Sequence, residues 1–598
     1  MMAKVRSAPI VLLLLAVFLG PHSSPAAPSP SVSRVIVWHS WSDEIFAQAA
    51  REHKFVLLDV EAVWCHWCHV MDQITYSDTA VRRLIGDWYL AVKVDQDSRP
   101  DISNRYEDYG WPATVIFSAD GSELVKRQGY LPPKLMASML QAVIDDPTPG
   151  PSVVAEKEIH YAATPFLDPA LLEGVKREFE KQYDVEGKGW AFGHKYLDAD
   201  SVQYANALAR DGDAVEAKRV ADTLQAAQKL LDPVWGGAYQ YSTGGNWNEP
   251  HFEKLLFIQA QVMRTYAQAY DQSRLPADLA AAQNVHHYVL SFLTSPEGAF
   301  YVSQDADVVK GKPGADYYAM GDAKRRALGV PRVDKHLYAR ENGWMIRALC
   351  ALYVSTDDQA VLSEAERSAR WVVAHRTITG GGFAHGEHDA AGPYLGDSLA
   401  MGQAFLTLYE VTGDRGWLVR AEASRRFMAK AFAAASTPGF VTSETSTNHA
   451  YRPHPERDEN AQIAQFANLL YQYTGDKGDR EMATQAMRYL ATREVALAWL
   501  SAPVLLAEMQ FTNPPVHVTV VGTKADPSAR SLFQTALLAG PIYKRVEWWD
   551  KSEGALPRAD VEYPMLNHAA AFLCTASACS APISDVHILE TRLHKTRE

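Results

Sequence analysis

The hydrophobic pattern changes character twice along the chain. Up to about residue 146, short apolar runs of strand length alternate with helix-like segments. From about 168 to 506 the apolar positions recur with the period of an α-helix, and after Pro514-Pro515 strand-like runs return. The pattern therefore predicts a small α/β domain, an all-helical domain and a C-terminal α/β appendage.

A glycine-aromatic signature recurs between the predicted helices of the middle region. It occurs at 189–192, 236–239, 298–301, 381–383 and 439–440. Spacings of about fifty to eighty residues suit one helical hairpin per repeat. Five copies and one degenerate hairpin predict a closed ring of twelve helices, the (α/α)6 six-hairpin barrel, with the signature loops at one mouth.

The motif with the clearest chemistry is Trp64-Cys65-His66-Trp67-Cys68-His69, directly after the apolar run 55–60. A strand that leads into a Cys-x-x-Cys helix start is typical of thiol–disulfide chemistry. The helix N-terminus favours a thiolate, so we expect Cys65 to attack and the less exposed Cys68 to resolve the mixed disulfide. Protonated His66 is expected to lower the pKa of the thiol further.

Three features around this motif predict a thioredoxin-like fold. Asp59 lies where thioredoxins carry a buried aspartate that helps to deprotonate the resolving cysteine. Trp111-Pro112 introduces the strand 113–117, and in thioredoxins this X-Pro bond is cis and abuts the dithiol. Asp120-Gly121 predicts a hairpin turn to a further strand. The expected substrate-binding residues are Trp64, Trp67, Trp111 and Pro112.

Two other interpretations of the motif stay open. The string Cys65-His66-Trp67-Cys68-His69 also matches the pattern of covalent haem attachment, which needs a second axial ligand and a helical shell that we cannot place here. A zinc site would need a second ligand pair, and none lies nearby in the sequence. We therefore expect no cofactor and no metal. A plain structural disulfide between Cys65 and Cys68 is the remaining alternative.

The N-terminus has the order of a secretory signal. Lys4 and Arg6 precede the apolar run 10–19, and small residues follow up to Ala27. The run is too short to span a bilayer, so we expect cleavage after Ala26 and an exported protein, periplasmic or secreted; an uncleaved anchor is the alternative. No later stretch approaches the length of a membrane span, so we expect no stable membrane insertion after cleavage.

Composition narrows the function classes. A net charge of -13 argues against nucleic-acid binding, and five cysteines among 598 residues are too few for a disulfide framework. Cys574 and Cys579 follow the last predicted strand, and we expect a local disulfide because no nearby charge would stabilise a thiolate. A redox relay is the alternative. Cys350, inside the predicted helix 344–353, is interpreted as a small core residue.

Charged residues also cluster in the predicted mouth loops of the barrel. This fold is shared by six-hairpin glycosidases, which need two carboxylates across the scissile bond, and by sugar 2-epimerases, which use acid/base histidines. The alternative is that the same side chains cap helices and organise turns. The candidates are His251, Glu253, Asp305, Asp307, His385, Asp397 and Glu459.

Several strings together resemble a family of thioredoxin-headed proteins that includes spermatogenesis-associated protein homologues. They are Cys65-His66-Trp67-Cys68-His69-Val70-Met71, Lys93-Val94-Asp95, Arg99-Pro100-Asp101, Gly110-Trp111-Pro112, Pro250-His251-Phe252-Glu253-Lys254 and Gln304-Asp305-Ala306-Asp307. The resemblance implies a thioredoxin domain fused to an (α/α)6 barrel, with an undefined substrate and a terminal cysteine pair. The string Tyr338-Ala339-Arg340-Glu341-Asn342-Gly343 departs from the family pattern.

The predicted organisation is a signal peptide at 1–26, a thioredoxin-like domain at 33–146, a linker at 147–165, the barrel at 166–510 and the appendage at 511–598. We interpret the chain as an exported thiol–disulfide oxidoreductase with a protein dithiol or disulfide as partner. Its barrel would position that partner or bind a carbohydrate-like ligand. The alternative is a carbohydrate-active or carbohydrate-binding barrel with a vestigial or redox-sensing head.

Overall fold

The computed structural model describes residues 35–154, 159–389, 391–444, 453–564, 566–575 and 578–596. The predicted signal peptide lies outside these residues. Within them, no helix combines the length and apolar character that a membrane crossing requires.

The N-terminal domain is a five-stranded sheet flanked by helices. Its strands are β1 (Trp38–His39), β2 (Phe55–Glu61), β3 (Tyr89–Asp95), β4 (Ala113–Phe117) and β5 (Glu123–Gln128). Its helices are α1 (Asp43–Glu52), α2 (His66–Val70), α3 (Thr79–Trp88), α4 (Pro100–Tyr106) and α5 (Pro133–Asp145).

The strand order is β1-β3-β2-β4-β5. The strands β1, β3 and β2 run parallel to one another, β4 is antiparallel to β2, and β5 is antiparallel to β4. The central strand β2 is buried on both faces, as its continuous apolar run requires. The peptide between Trp111 and Pro112 is cis. The thioredoxin-like fold predicted from the sequence is confirmed.

The middle region consists of helical hairpins. Its helices in chain order are α6 (Pro169–Lys181), α7 (Ala199–Arg210), α8 (Ala214–Ala227), α9 (Leu256–Ser273), α10 (Pro276–Tyr288), α11 (Ala315–Tyr318), α12 (Asp322–Leu328), α13 (Ala339–Thr356), α14 (Gln359–Arg376), α15 (Leu395–Thr412), α16 (Arg415–Ala431), α17 (Arg457–Thr474), α18 (Lys477–Leu490), α19 (Arg493–Ala496) and α20 (Ala502–Thr512).

Six of these helices pack side by side in a ring: α7, α9, α13, α15, α17 and α20, with α20 returning to contact α7. The helices α6, α8, α10, α14, α16 and α18 precede them in the hairpins and pack outside. All inner helices begin at one end of the barrel, which we call the mouth. The (α/α)6 barrel predicted from the glycine-aromatic spacing is confirmed.

Each glycine-aromatic loop joins an outer helix to the next inner helix at the mouth. Short strands form there: β6 (Tyr183–Asp184), β7 (Gly189–Trp190), β8 (Tyr241–Ser242), β9 (Pro250–His251), β10 (Lys254–Leu255), β11 (Ser303–Gln304) and β12 (Val333–Asp334).

A buried amide near the start of an inner helix holds the loop in three repeats. Asn342 accepts a hydrogen bond from the Phe300 N–H at 2.8 Å and donates to the Phe300 carbonyl at 3.1 Å. Asn460 makes the same two bonds with Phe440, at 2.8 and 2.9 Å. Gln259 binds Ala238 in the same manner.

Replacing Asn342 with alanine is therefore expected to destabilise the barrel. The change leaves the N–H and carbonyl of Phe300 buried without their partner, which lowers the free energy of unfolding by about 2 to 3 kcal/mol. Urea unfolding followed by circular dichroism measures the change. Asn248→Ala, at an exposed loop position, is the control and should stay within about 0.5 kcal/mol of the parent; an equal effect of the two substitutions would contradict the assignment.

The C-terminal appendage closes the other end of the barrel. It contains β13 (Val516–Val521), α21 (Pro527–Leu538), β14 (Lys544–Trp549), β15 (Ala570–Cys574) and α22 (Val586–His594). The strand order is β14-β13-β15, with β13 and β14 parallel. The sulfurs of Cys574 and Cys579 are bonded at 2.03 Å.

Candidate functional site

The two motif cysteines lie at the start of α2. Cys65 is the N-cap residue, and its Sγ accepts a hydrogen bond from the Cys68 N–H at 3.1 Å. The two sulfurs are bonded to each other at 2.15 Å. Cys65 is only 4% exposed and Cys68 2%. Cys68 is thus the less exposed of the two, as expected from the sequence, and both cysteines are buried.

The barrel mouth covers the dithiol. Leu255, Phe257 and Ile258, at the start of α9, pack into one apolar cluster with Cys65 and Cys68. From the thioredoxin-like domain the cluster receives Ala62, Trp64 and Trp111. The dithiol and the barrel mouth were predicted from the sequence as two separate candidate sites, but the structure brings them together.

Acidic residues at the mouth contact the histidines of the motif. The strands β10 and β11 pair with each other and present Glu253, Asp305 and Asp307 at their ends. Asp307 Oδ1 lies 2.8 Å from His66 Nδ1, and Asp307 Oδ2 lies 3.2 Å from His69 Nδ1. The His66 N–H, in the first turn of α2, donates to Glu253 Oε1 at 3.5 Å.

These contacts favour a charged pair of histidines facing Asp307. The hydrogen bond to Asp307 raises the pKa of His66. Burial lowers the pKa of His69, but Asp307 and Asp305 outweigh it and the net shift is upward. Both nitrogens of His69 face acceptors, since Nε2 donates to the Val63 carbonyl at 3.0 Å, and this requires an imidazolium ring. Burial opposes ionisation of Asp307, yet the two histidines hold its pKa below the ordinary value.

Glu253 has a different environment from Asp307. Burial raises its pKa to about 7, and its Oε2 atom has no hydrogen-bond partner among the described residues. His251 lies 3.9 Å from Glu253 and stacks on Tyr241, and burial lowers the pKa of His251 to about 4. At neutral pH, His251 is therefore an uncharged ring at the edge of the mouth.

A second polar contact joins the domains at His385. Its Nε2–H donates to the Asp97 carbonyl at 2.6 Å, and its Nδ1 lies 2.9 Å from Asp397. Burial lowers the pKa of His385, but the opposing effect of Asp397 is larger and the pKa rises to about 9. The Asp97 carboxylate accepts from the Trp64 indole at 2.7 Å. With both nitrogens occupied, His385 docks the domain rather than offering an acid or base to a substrate.

The remaining predicted residues are distributed around this interface. Asp59 is buried on β2, and Lys93 on β3 lies 3.5 Å from its carboxylate; burial raises the pKa of Asp59 to about 7. Pro112 is buried, whereas Trp67 is 43% exposed beside Tyr130. Glu459 accepts from the Thr442 hydroxyl at 3.1 Å, and burial raises its pKa to about 7.

Two groups of side chains bring three potential metal ligands within 4.8 Å: His69, Asp305 and Asp307, and Asp59, Glu61 and Asp72. Neither group contains a cysteine. In the second group Lys93 already supplies a cation, with its Nζ 2.8 Å from Glu61 and 2.6 Å from Asp72. In the first group His69 pairs with both carboxylates directly, at 3.7 Å from Asp305 and 3.2 Å from Asp307. Both groups are therefore explained as networks of ion pairs within the protein.

Rising pH is expected to weaken the docking of the two domains. Burial raises the pKa of Glu253 from 4.5 to about 7 and that of Asp95 from 3.8 to about 6, the latter with help from Asp334 of the barrel. Carboxyls that bind a proton more tightly when docked lose this contribution as the pH rises through those values. His66 acts in the same direction, because its raised pKa stabilises docking only while the ring is protonated.

Small-angle X-ray scattering of the full chain measures this effect. The radius of gyration is expected to increase between about pH 5.5 and 8.5. A constant radius over that range would contradict the electrostatic account of the interface.

Comparison with known proteins agrees with this architecture. Residues 29–145 match a family model described as Thioredox_DsbH, protein of unknown function, DUF255. Spermatogenesis-associated protein 20 of Homo sapiens is 26% identical over 306 residues, which cover 45% of this chain and 39% of the relative. Thioredoxin-2 of Pyricularia oryzae is 31% identical over 113 residues, 18% of this chain and 60% of that protein. The family resemblance predicted from the sequence is confirmed.

The chain spans about two fifths of the length of the first curated relatives that it matches. Among solved structures, the cellobiose 2-epimerase of Bacillus thermoamylovorans aligns with a TM-score of 0.42 at 11% identity, covering 54% of this chain and 87% of the epimerase.

Proposed function

We propose that the chain is a thiol–disulfide oxidoreductase that exchanges electrons through Cys65 and Cys68. The observation that carries the proposal is the position of Cys65 at the N-cap of α2, where its sulfur accepts the Cys68 N–H. A thiolate at this position is stabilised by the backbone N–H groups of the first turn and by the helix dipole. The thioredoxin-like fold supports the proposal, since it packs Trp111 in one cluster with Cys65 and Cys68.

The proposed exchange proceeds in two steps. The Cys65 thiolate attacks a disulfide of the partner, forms a mixed disulfide and releases the first partner thiolate. The Cys68 thiolate then attacks the Cys65 sulfur, forms the Cys65–Cys68 disulfide and releases the second partner thiolate. The dithiol is oxidised by two electrons and the partner disulfide is reduced by two. In the opposite direction, the same steps oxidise a partner dithiol.

Asp59 and Lys93 are the proposed proton-handling pair for the resolving cysteine. A carboxyl whose pKa is raised to about 7 can accept a proton near neutral pH and return it. Lys93 keeps the pKa of Asp59 from rising still higher, since the positive charge of the lysine opposes the effect of burial. The barrel mouth is proposed to control access, because the surface around Cys65 is occupied by Leu255, Phe257 and Ile258.

Oxidised glutathione tests the proposal without knowledge of the natural partner. The reduced full chain is mixed with oxidised glutathione, and the released glutathione thiol is measured against time. We expect release to accompany oxidation of the Cys65–Cys68 pair, as two electrons pass to glutathione. Release that continues at the same rate in the Cys65→Ser/Cys68→Ser double variant would overturn the proposal.

We also propose that the protein is exported, on the strength of the basic, apolar and small-residue order of the first 27 residues. Expression in a Gram-negative host followed by cell fractionation tests this. The expected product is a periplasmic chain whose first residue is Ala27. An uncleaved chain that stays in the cytoplasm would contradict the proposal.

A further inference from the structure

The barrel holds a cavity that lies apart from the dithiol. Its volume is about 300 Å³, which is sufficient for a small organic molecule. Phe257 and Trp344 line it toward the mouth, and Phe257 also packs on the dithiol cluster. Residues 537–546 of the appendage line the opposite end. The cavity therefore runs between the two domains that close the barrel.

Two arginines from neighbouring inner helices line this cavity. Arg264 lies on α9 and Arg347 on α13. Arg347 donates to the Gln403 side chain at 2.8 Å. Among the described residues, no carboxylate lies within 4.0 Å of either guanidinium. Both arginines are half-buried. A guanidinium withdrawn from bulk water ordinarily has an anionic partner in contact, and neither of these two has one.

The nearby carboxyls compensate the arginines incompletely. Asp200, Asp271 and Glu410 line the same cavity, but burial raises the pKa of all three, to about 6 for Asp271 and about 7 for Glu410. Burial and the charge of Arg264 lower the pKa of Arg347 to about 9, so both guanidiniums remain charged at neutral pH. Burial is the larger cause of this shift, and Glu410 and Asp200 act against it.

The remaining polar lining contains one further cation, Lys544, which donates to the Leu537 and Ala539 carbonyls, and is otherwise rich in amides. Six of its glutamine side chains make no hydrogen bond to another described residue: Gln203, Gln261, Gln268, Gln462, Gln465 and Gln510. An amide both donates and accepts, so a wall of amides suits hydroxyl groups. Trp344 and Phe257 add apolar faces against which the C–H surface of a ring can pack.

We propose that the barrel cavity binds a small hydroxylated oxyanion of the sugar-acid or sugar-phosphate class. Arg264 and Arg347 hold the oxyanion, which supplies the missing counter-charge in a geometry that two guanidiniums recognise. The glutamine amides bind the hydroxyl groups. A neutral sugar lacks the oxyanion that would pair with the two guanidiniums.

Isothermal titration calorimetry of the full chain tests the inference with three probes: D-glucuronate, D-glucose 6-phosphate and D-glucose. At least one anionic probe is expected to bind with a Kd of about 1 mM or tighter, and D-glucose at least about tenfold more weakly. The better of the two anions tells whether a carboxylate or a phosphate is preferred. No saturable binding of either anion up to about 10 mM would overturn the inference, as would equal binding of D-glucose.

Variants assign the binding to the arginine pair. Arg264→Gln and Arg347→Gln are each expected to weaken binding of the anion at least about tenfold. Arg370→Gln, at an exposed position on the outer helix α14, is the matched control and should leave the affinity unchanged. Unchanged binding in both cavity variants would overturn the inference. Thermal unfolding of the variants shows whether they are folded, and the titration needs no thiol chemistry, so its outcome is separate from that of the redox proposal.

Discussion

Replacing Cys65 with serine should abolish disulfide exchange in the full chain, whereas replacing Cys68 with serine should stop the reaction at the mixed disulfide. Cys65 occupies the N-cap position and is expected to be the attacking sulfur, so Cys65→Ser removes the thiolate that starts the reaction. Cys68→Ser keeps that thiolate but removes the resolving thiol. Incubation with oxidised glutathione should therefore leave glutathione bound to Cys65 in the Cys68→Ser variant. Intact-mass spectrometry reads the adduct directly.

The C-terminal cysteines supply the control for this experiment. Cys574→Ser/Cys579→Ser removes a disulfide that lies in the appendage, at the far end of the barrel. This double variant should exchange with glutathione at the parental rate. Equal adduct formation in Cys65→Ser and Cys68→Ser would contradict the assigned roles, because it would show that the two sulfurs are equivalent.

Asp307→Asn should expose the dithiol. Asp307 is the carboxylate that both His66 and His69 face, and its side chain is fully buried. The substitution keeps the shape of the side chain and removes its charge, so it costs the interface about 1.5 to 3 kcal/mol of charge-assisted hydrogen bonding. A loss of this size increases the population of undocked molecules at least about tenfold.

The rate at which iodoacetamide alkylates reduced Cys65 measures this change, since Cys65 is 4% exposed when the domains are docked. We expect the rate to rise at least about tenfold in Asp307→Asn. Asp316→Asn, at an exposed position shortly after the same loop, is the matched control and should alkylate at the parental rate. A parental rate in Asp307→Asn would show that this contact does not hold the mouth closed.

Much of the architecture could be predicted from the sequence because local patterns carry it. The strand-length apolar runs, the Cys-x-x-Cys helix start and the X-Pro bond together indicate the thioredoxin-like domain. The glycine-aromatic spacing predicts the barrel because each hairpin needs the same turn at the same end. The amides that bind these turns also follow a sequence pattern, because Asn342 and Asn460 each occupy the fourth position after the N-cap of an inner helix.

The docking of the dithiol on the barrel mouth could not be predicted in the same way. His66 and Asp307 are 241 residues apart, and a contact at that separation leaves no periodic trace in a single sequence. The docking adds Leu255, Phe257 and Ile258 to the residues that bury Cys65. Lys93 is different, because a lysine in the middle of the apolar strand β3 is a residue type that is rarely buried without a partner. That pattern could have indicated its ion pair with Asp59.

The most direct test of the redox account is an equilibrium titration of the full chain in glutathione buffers of graded redox potential. Each sample is alkylated, and mass spectrometry reads the fraction of the Cys65–Cys68 pair that is oxidised. The account predicts a single reversible transition that involves two electrons, with the same midpoint when approached from the oxidised and the reduced protein. A pair that stays in one state across the whole range would contradict it.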